Sequence, residues 1–198
     1  MKELILPNFY QVTPEPVDPP HFNDFLAQLD ATLRSGVKLV QLRAKQLERP
    51  AHLMVARKAL HLCHAHGALM VLNGCVDMAM KIGCDGVHLS SQQLMALQQR
   101  PADTRMLVSA ACHSAEQLAQ ACKVGADFVT LSPVLPTGTH PDAEPLGWAR
   151  FAELVSAAQV PVFALGGMKP ELIAQAKQAG AWGIAAISAT WCREASDQ

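Results

Sequence analysis

The chain has 198 residues, with Lys+Arg 16 against Asp+Glu 17, 50% apolar residues and 5% aromatic residues. That length suits one domain with a sizeable core, and the composition excludes disorder, collagen and coiled coil. A net charge of −1 supplies no global positive field for nucleic acid or an anionic membrane, and only 17% charged residues leaves a thin polar surface for a monomer.

Strand-like and helix-like segments alternate along the chain. A strand is expected over Phe9–Thr13, and Phe22, Phe25, Leu26, Leu29 and Leu33 then follow helical spacing to Gly36. Val37–Leu42 reads as the second strand, Pro50–His66 as a helix ended by Gly67, and Ala68–Leu72 as the third strand. A short helix, Val76–Ile82, leads to strand Gly86–Leu89. Ser91 is expected to cap a helix over Ser91–Gln99, before strand Met106–Cys112. Ser114-Ala115-Glu116-Gln117 matches a capping box at the next helix start. Strand Phe128–Val134, helix Trp148–Ala158, strand Pro161–Leu165, helix Pro170–Ala179 and strand Gly183–Ser188 complete the order.

One phrase recurs: a glycine, two residues, then an apolar run, at Gly36, Gly67, Gly83, Gly125 and Gly180. Such a glycine suits the left-handed position after a helix, from which the chain turns into a buried parallel strand. Eight strand signals with seven intervening helices predict a compact, single-domain (β/α)8 TIM barrel over 1–198. An open parallel sheet is the alternative. After Ser188 only about two turns of closing helix are left, and a homodimer contact is expected to cover the gap.

No apolar stretch reaches bilayer length; Val160–Leu165 and Ile184–Ile187 are strand length. Met1–Pro7 lacks the apolar core and cleavage site of a signal peptide. The six cysteines sit mostly inside apolar runs and read as buried thiols of a cytoplasmic protein.

In such a barrel the chemistry lies just beyond the strand C-termini. After strand two, Gln41, Arg43 and Lys45 project to one side, and two cations there suit a phosphate or pyrophosphate; a salt-bridged or solvated loop is the equal alternative. Asn73 after strand three can bond a ligand ring or simply form an Asn-Gly turn. His88 reads as a satisfied barrel-lining histidine. His113, between strand five and its helix, is placed to exchange a proton, although it can equally just pack the strand mouth. The long loop Ser132–Gly147 holds four prolines and reads as a stiff lid, with Thr137, Thr139 and His140 as phosphate donors. Gly166-Gly167 after strand seven and Ile187-Ser188 after strand eight suit a phosphate held on backbone N–H groups. His61, Cys63, His64 and His66 crowd a helix end, but their spacing fits no closed zinc motif, so no metal ligands are expected.

Together these phrases resemble the thiamine phosphate synthase/TenI family from Phe9 to about Thr190. The similar phrases are Gln41-Leu42-Arg43-Ala44-Lys45, Gly83–Leu89, Cys112-His113-Ser114, Pro133–Thr139 and Ala164–Met168. The family's synthase joins an aminopyrimidine pyrophosphate to a thiazole phosphate and needs Mg²⁺. The resemblance implies a thiazole phosphate on Gly166, Gly167, Ile187 and Ser188. It implies the pyrophosphate against Arg43, Lys45, Asn73, Thr137 and Thr139, with Gln41 near the pyrimidine.

The departures are specific. Where the synthase pattern has two magnesium-binding Asp residues, this chain has Gly74 and Gln93; Ala111 replaces a Ser and His140 replaces a lid Lys. Asn73-Gly74 followed by Val76-Asp77 looks like the TenI branch, whose tautomerase shifts a proton on a thiazole phosphate carboxylate with a base aligned to His113. The lid with His140-Pro141 and Leu146-Gly147-Trp148 also resembles an accessory domain fused to some bacterial Nudix hydrolases, which makes a Nudix-type protein a candidate functional partner.

The expected function is therefore a TenI-like protein that binds a small phosphorylated heterocycle of the thiazole phosphate type. Proton transfer falls to His113, with no cofactor, nucleic acid or membrane involved. The alternative is the synthase, with Mg²⁺ held in an altered way. A further alternative is a non-catalytic phosphate-ligand-binding accessory or regulatory domain.

Overall fold

The computed structural model describes residues 6–103, 105–138 and 143–191. Among the described residues eight parallel strands alternate with seven α-helices: β1 (Phe9–Val12), α1 (Phe22–Arg34), β2 (Leu39–Leu42), α2 (Arg49–Ala65), β3 (Leu69–Asn73), α3 (Val76–Ile82), β4 (Gly86–Leu89) and α4 (Ser91–Ala96), then β5 (Leu107–Cys112), α5 (Ala115–Lys123), β6 (Phe128–Leu131), α6 (Gly147–Ser156), β7 (Val162–Ala164), α7 (Ile173–Gln178) and β8 (Gly183–Ala186). The strands pair in chain order, and β8 returns to β1 through Phe9↔Ile184 and Gln11↔Ala186, closing the barrel. This excludes the open sheet. Closure brings the chain before β1 hard against Gly183: the N–H of Ile184 donates to the Asn8 carbonyl at 3.0 Å. A Cβ on Gly183 would stand 2.0 Å from that same oxygen.

Side-chain alternation sorts the apolar residues into two cores. One lies between strands and helices and includes Leu29, Val40, Leu72, Val129, Leu131 and Phe151. The other fills the barrel and includes Tyr10, Leu39, Val71, Phe128 and Phe163. Tyr10, Phe128 and Phe163 meet with ring centroids 5.3 to 5.7 Å apart. All three are fully buried. At about 1.5–3 kcal/mol per buried side chain they form a solid plug, so the barrel is a packed core and not a pore.

Several local readings are corrected. β6 ends at Leu131, short of Val134, because Pro133 has no N–H to continue a ladder. α4 stops at Ala96 instead of Gln99. The expected Pro170–Ala179 helix begins with a 3₁₀ turn, Pro170–Leu172, and a second 3₁₀ turn, Pro19–His21, precedes α1. Ser90, not Ser91, caps α4, and the reciprocal capping box lies there, between Ser90 and Gln93. At α5 only half of the expected box forms. Ser114 accepts from the Gln117 N–H, but the Gln117 side chain accepts from the His113 N–H instead.

Two of the crowded histidines are tied down: His64 contacts Asp85 at 3.0 Å, and His66 contacts Asp30 at 2.7 Å. Among the described residues no group of three or more His, Cys, Asp or Glu could hold a metal ion. No helix among them is long and apolar enough to cross a membrane. The described chain ends at Trp191, whose ring packs on Phe25 at 5.3 Å and whose indole N–H donates to Gln28. The closing helix expected after Ser188 does not begin in the described residues, where 189–191 are non-helical, and the rest of it, from Cys192 onward, lies outside them.

Candidate functional site

The residues at the strand C-termini converge on a cavity of about 420 Å³. Gln41, Arg43 and Lys45 reach it from β2, and Asn73 reaches it from β3. His113, Thr137, Gly166 and Ile187 close the opposite side. A second hollow of about 210 Å³ adjoins it, lined by Thr137, Gly166, Gly167, Ile187 and Ser188. Thus the expected site residues that are described come together in two adjoining cavities. Thr139 and His140 lie outside the described residues.

The paired glycines have a structural role of their own. Gly166 and Gly167 lie at φ 95° and 68°. A Cβ at Gly166 would stand 2.8 Å from Pro133 Cα, and one at Gly167 would stand 2.8 Å from the Pro136 carbonyl oxygen. The lid after β6 rests directly on this turn: the Leu135 N–H donates to the Gly166 carbonyl at 3.1 Å, and the Val134 N–H to that of Leu165 at 2.9 Å. Only glycine permits so close a backbone approach at these dihedrals.

Beneath the cationic rim runs a buried polar chain. Asn73 Nδ2 donates to Gln41 Oε1 at 2.7 Å, and Gln41 Nε2 donates to the Tyr10 hydroxyl at 2.9 Å. Tyr10 also bonds Ser109, which lies 2.8 Å from His88 Nδ1. Burial, with a smaller push from the Lys45 charge, lowers the His88 pKa to about 3, so the ring is neutral. Burial raises the Tyr10 pKa above its ordinary range. Both ends of the Gln41 amide are thereby engaged inside the protein, which leaves Asn73 with the freer amide.

Arg43 is held too. Its Nη1 lies 2.6 Å from Glu15 Oε2, and Glu15 Oε1 accepts from the Gln46 N–H at 2.7 Å. The salt-bridged alternative for the basic pair therefore describes Arg43, while Lys45 stays exposed on the same rim. Glu15 was missed because the strand-end reading began at strand two; the same rule applied after β1 reaches it.

His113 is exposed at the mouth, its Nδ1 2.8 Å from the Ser132 carbonyl oxygen. A carbonyl only accepts, so Nδ1 carries the hydrogen and the neutral ring keeps its lone pair on Nε2. That tautomer can accept a proton from a ligand. Burial pushes the neighbouring Cys112 thiol up to about 12, which removes it as a nucleophile near neutral pH.

Gly74 and Gln93, where the resemblance implies two carboxylates, are neighbours in space. Gln93 Nε2 donates to the Gly74 carbonyl at 2.7 Å. A hard Mg²⁺ ion wants carboxylate oxygens beside substrate phosphates, and this pair offers none. The residues here do not fit the ion.

A family profile described as thiamine monophosphate synthase matches residues 9–190. The chain belongs to that family. Among its relatives is a protein of Aquifex aeolicus, provisionally named thiamine-phosphate synthase 2. It is 36% identical over 183 residues, spanning 92% of this chain and 97% of that one. The thiamine-phosphate synthase of Thioalkalivibrio sulfidiphilus is 33% identical over 95% of this chain and 89% of its own. The solved thiamine phosphate pyrophosphorylase of Pyrococcus furiosus superposes with a TM-score of 0.75, covering 94% of this chain and 88% of that one. At 23% identity that likeness speaks for the fold alone. Both relatives carry the synthase's name and neither a tautomerase's, so the comparisons favour the reading that the sequence analysis placed second.

Proposed function

We propose that this family member works in thiamine biosynthesis as a synthase-type transferase, joining an aminopyrimidine pyrophosphate to a thiazole phosphate. The carrying observation is a site with two ends. A glycine cradle at Gly166, Gly167, Ile187 and Ser188 suits one phosphate, and Arg43 and Lys45 line the far wall of the adjoining cavity. In this reading the cradle holds the thiazole phosphate, and the β2 cations take the charge of the leaving pyrophosphate. Because Gly74 and Gln93 do not fit Mg²⁺, no step is assigned to the ion. The test is a coupling assay with both substrates, with Mg²⁺ or with chelator. Thiamine phosphate is expected as product, and none at high enzyme in either condition overturns the reading.

A second reading rests on His113. Its Nδ1–H tautomer leaves Nε2 able to take a proton, which suits a tautomerase-type shift on a thiazole phosphate carboxylate. Turnover by wild type and loss in His113→Ala would support it; equal rates would end it. Ligand binding with neither activity would instead favour a non-catalytic accessory role, with a Nudix-type protein as the candidate partner. A cytoplasmic setting accords with all three. A homodimer is the proposed assembly, and light scattering at assay concentration checks it.

A further inference from the structure

β6 places one hydroxyl differently from the other polar groups of the barrel interior. Phe128 faces inward, Val129 and Leu131 face the helices, and Thr130 therefore points to the barrel axis. Thr130 is fully buried and lines the large cavity. Its strand neighbours, Ala111 on β5 and Phe163 on β7, bring no polar side-chain atom. Its Oγ1 has no hydrogen-bond partner among the described residues. Gln41, Ser109 and His88, buried nearby in the same interior, are all bonded. A buried hydroxyl left unpaired costs stability, and such a group facing a cavity is satisfied by whatever occupies it.

The surroundings define the occupant's chemistry. His88 is uncharged, and Ala111 and Leu165 are apolar, so a carboxylate or phosphate against Thr130 would lie buried without a cation. The cations and the glycine cradle stand at the rim, where anionic groups can be met.

We propose that Thr130 is a ligand-binding residue whose hydroxyl donates to the uncharged heteroaromatic ring of the phosphorylated ligand. This rests on the thiazole phosphate reading above and adds the residue that recognises the ring. The ring lies over β6 with its phosphate directed to the β7–β8 cradle, and Thr130 selects a ring that presents an acceptor at that depth.

The test compares wild type, Thr130→Val and Thr130→Ser by calorimetric titration with thiazole phosphate and with inorganic phosphate, alongside thermal melts without ligand. Valine keeps the shape and removes the hydroxyl. Thr130→Val is expected to melt at or above wild type, to lose about five- to tenfold in thiazole phosphate affinity, and to bind inorganic phosphate unchanged. Thr130→Ser is expected to recover most of the lost affinity. Unchanged thiazole phosphate affinity in Thr130→Val overturns the proposal. So does an equal loss for both ligands, and so does a lower melting temperature, which would mean that the hydroxyl is already paired. Wild type that binds inorganic phosphate but not thiazole phosphate overturns the ligand reading itself, and with it the ring contact; the melt then still reports whether the hydroxyl is unpaired.

Discussion

The Gln93 side chain bridges two backbone positions: its Nε2 donates to the Gly74 carbonyl at 2.7 Å, and its Oε1 accepts from the Ser90 N–H at 2.9 Å. Both polar ends are spent on local structure at the place where the family's synthase pattern puts two carboxylates. Ligand affinity in wild type is therefore predicted to change by less than about twofold between Mg²⁺ and chelator. The Gly74→Asp/Gln93→Asp variant should gain divalent-ion binding, read by Mn²⁺ paramagnetic resonance. A Cβ at Gly74 would clear the Gln93 amide by 4.0 Å, so there is room. Its φ of 87° makes the Asp cost about 1–2 kcal/mol of stability.

The ion pair between Glu15 and Arg43 sets a second prediction. A carboxylate 2.6 Å from the guanidinium competes with any anion that seeks it. Glu15→Gln should raise pyrophosphate affinity by about two- to fivefold, as expected for removing one partly buried like charge. Arg43→Ala should lower it by about tenfold or more, given the strength of charge-assisted bonds. Titration calorimetry at fixed ionic strength checks both; a fall in Glu15→Gln would show that Glu15 positions Arg43 and does not compete for it.

His113 separates the two reactions. If it is the proton-transfer base, His113→Ala should lose about 10²–10⁴-fold in tautomerase rate. The coupling rate should change much less, because no proton need leave the thiazole through His113 in that reaction. Steady-state kinetics of both assays on one preparation give the answer.

His88 predicts how stability depends on pH. Its folded pKa, about 3, lies below the unfolded value near 6.5, so between these limits the unfolded chain binds the extra proton. Stability from this group is complete above about pH 6.5 and is lost as pH falls toward 3, with a limiting slope of about 1.4 kcal/mol per pH unit. Urea unfolding of wild type and His88→Gln from pH 7 to 4 should show a shallower decline in the variant.

Gly166→Ala tests the seat of the lid. The new Cβ would meet Pro133 Cα at 2.8 Å from a backbone at φ 95°. Strain and overpacking together should cost about 2–4 kcal/mol and lower the melting temperature by roughly 10 °C. Calorimetry measures it, and a wild-type melt would mean that the lid gives way.

The repeating order of strand, helix and glycine was legible because each signal is local. The phrase beginning at Gly83 or Gly125 announces a turn into a buried strand, and both glycines have the positive φ that it requires. Helix starts were read less well. Ser90 and Ser91 are equally good caps by type, and which one acts depends on where β4 releases the chain. Gln117 satisfies the box pattern with Ser114, yet its side chain goes to the His113 N–H, since both are within reach of one amide.

Much of the site was readable from strand ends alone, because alternation along β2 commits Gln41, Arg43 and Lys45 to one side. The pairings were not readable. Glu15 with Arg43 joins two strand ends, Gly74 with Gln93 joins the end of β3 to the first turn of α4, and Thr130 is distinctive only because its strand neighbours have no partner to offer it.

By itself the sequence determined the class of fold and the kinds of groups at the barrel mouth, since periodicity, turn glycines and residue type act over a few positions. Only the tertiary structure decided which of those groups are already engaged. Barrel closure sets the distances between strand ends, and those distances decide that Arg43 is paired, that Gln93 bridges to Gly74, and that the Thr130 hydroxyl faces the cavity unpaired.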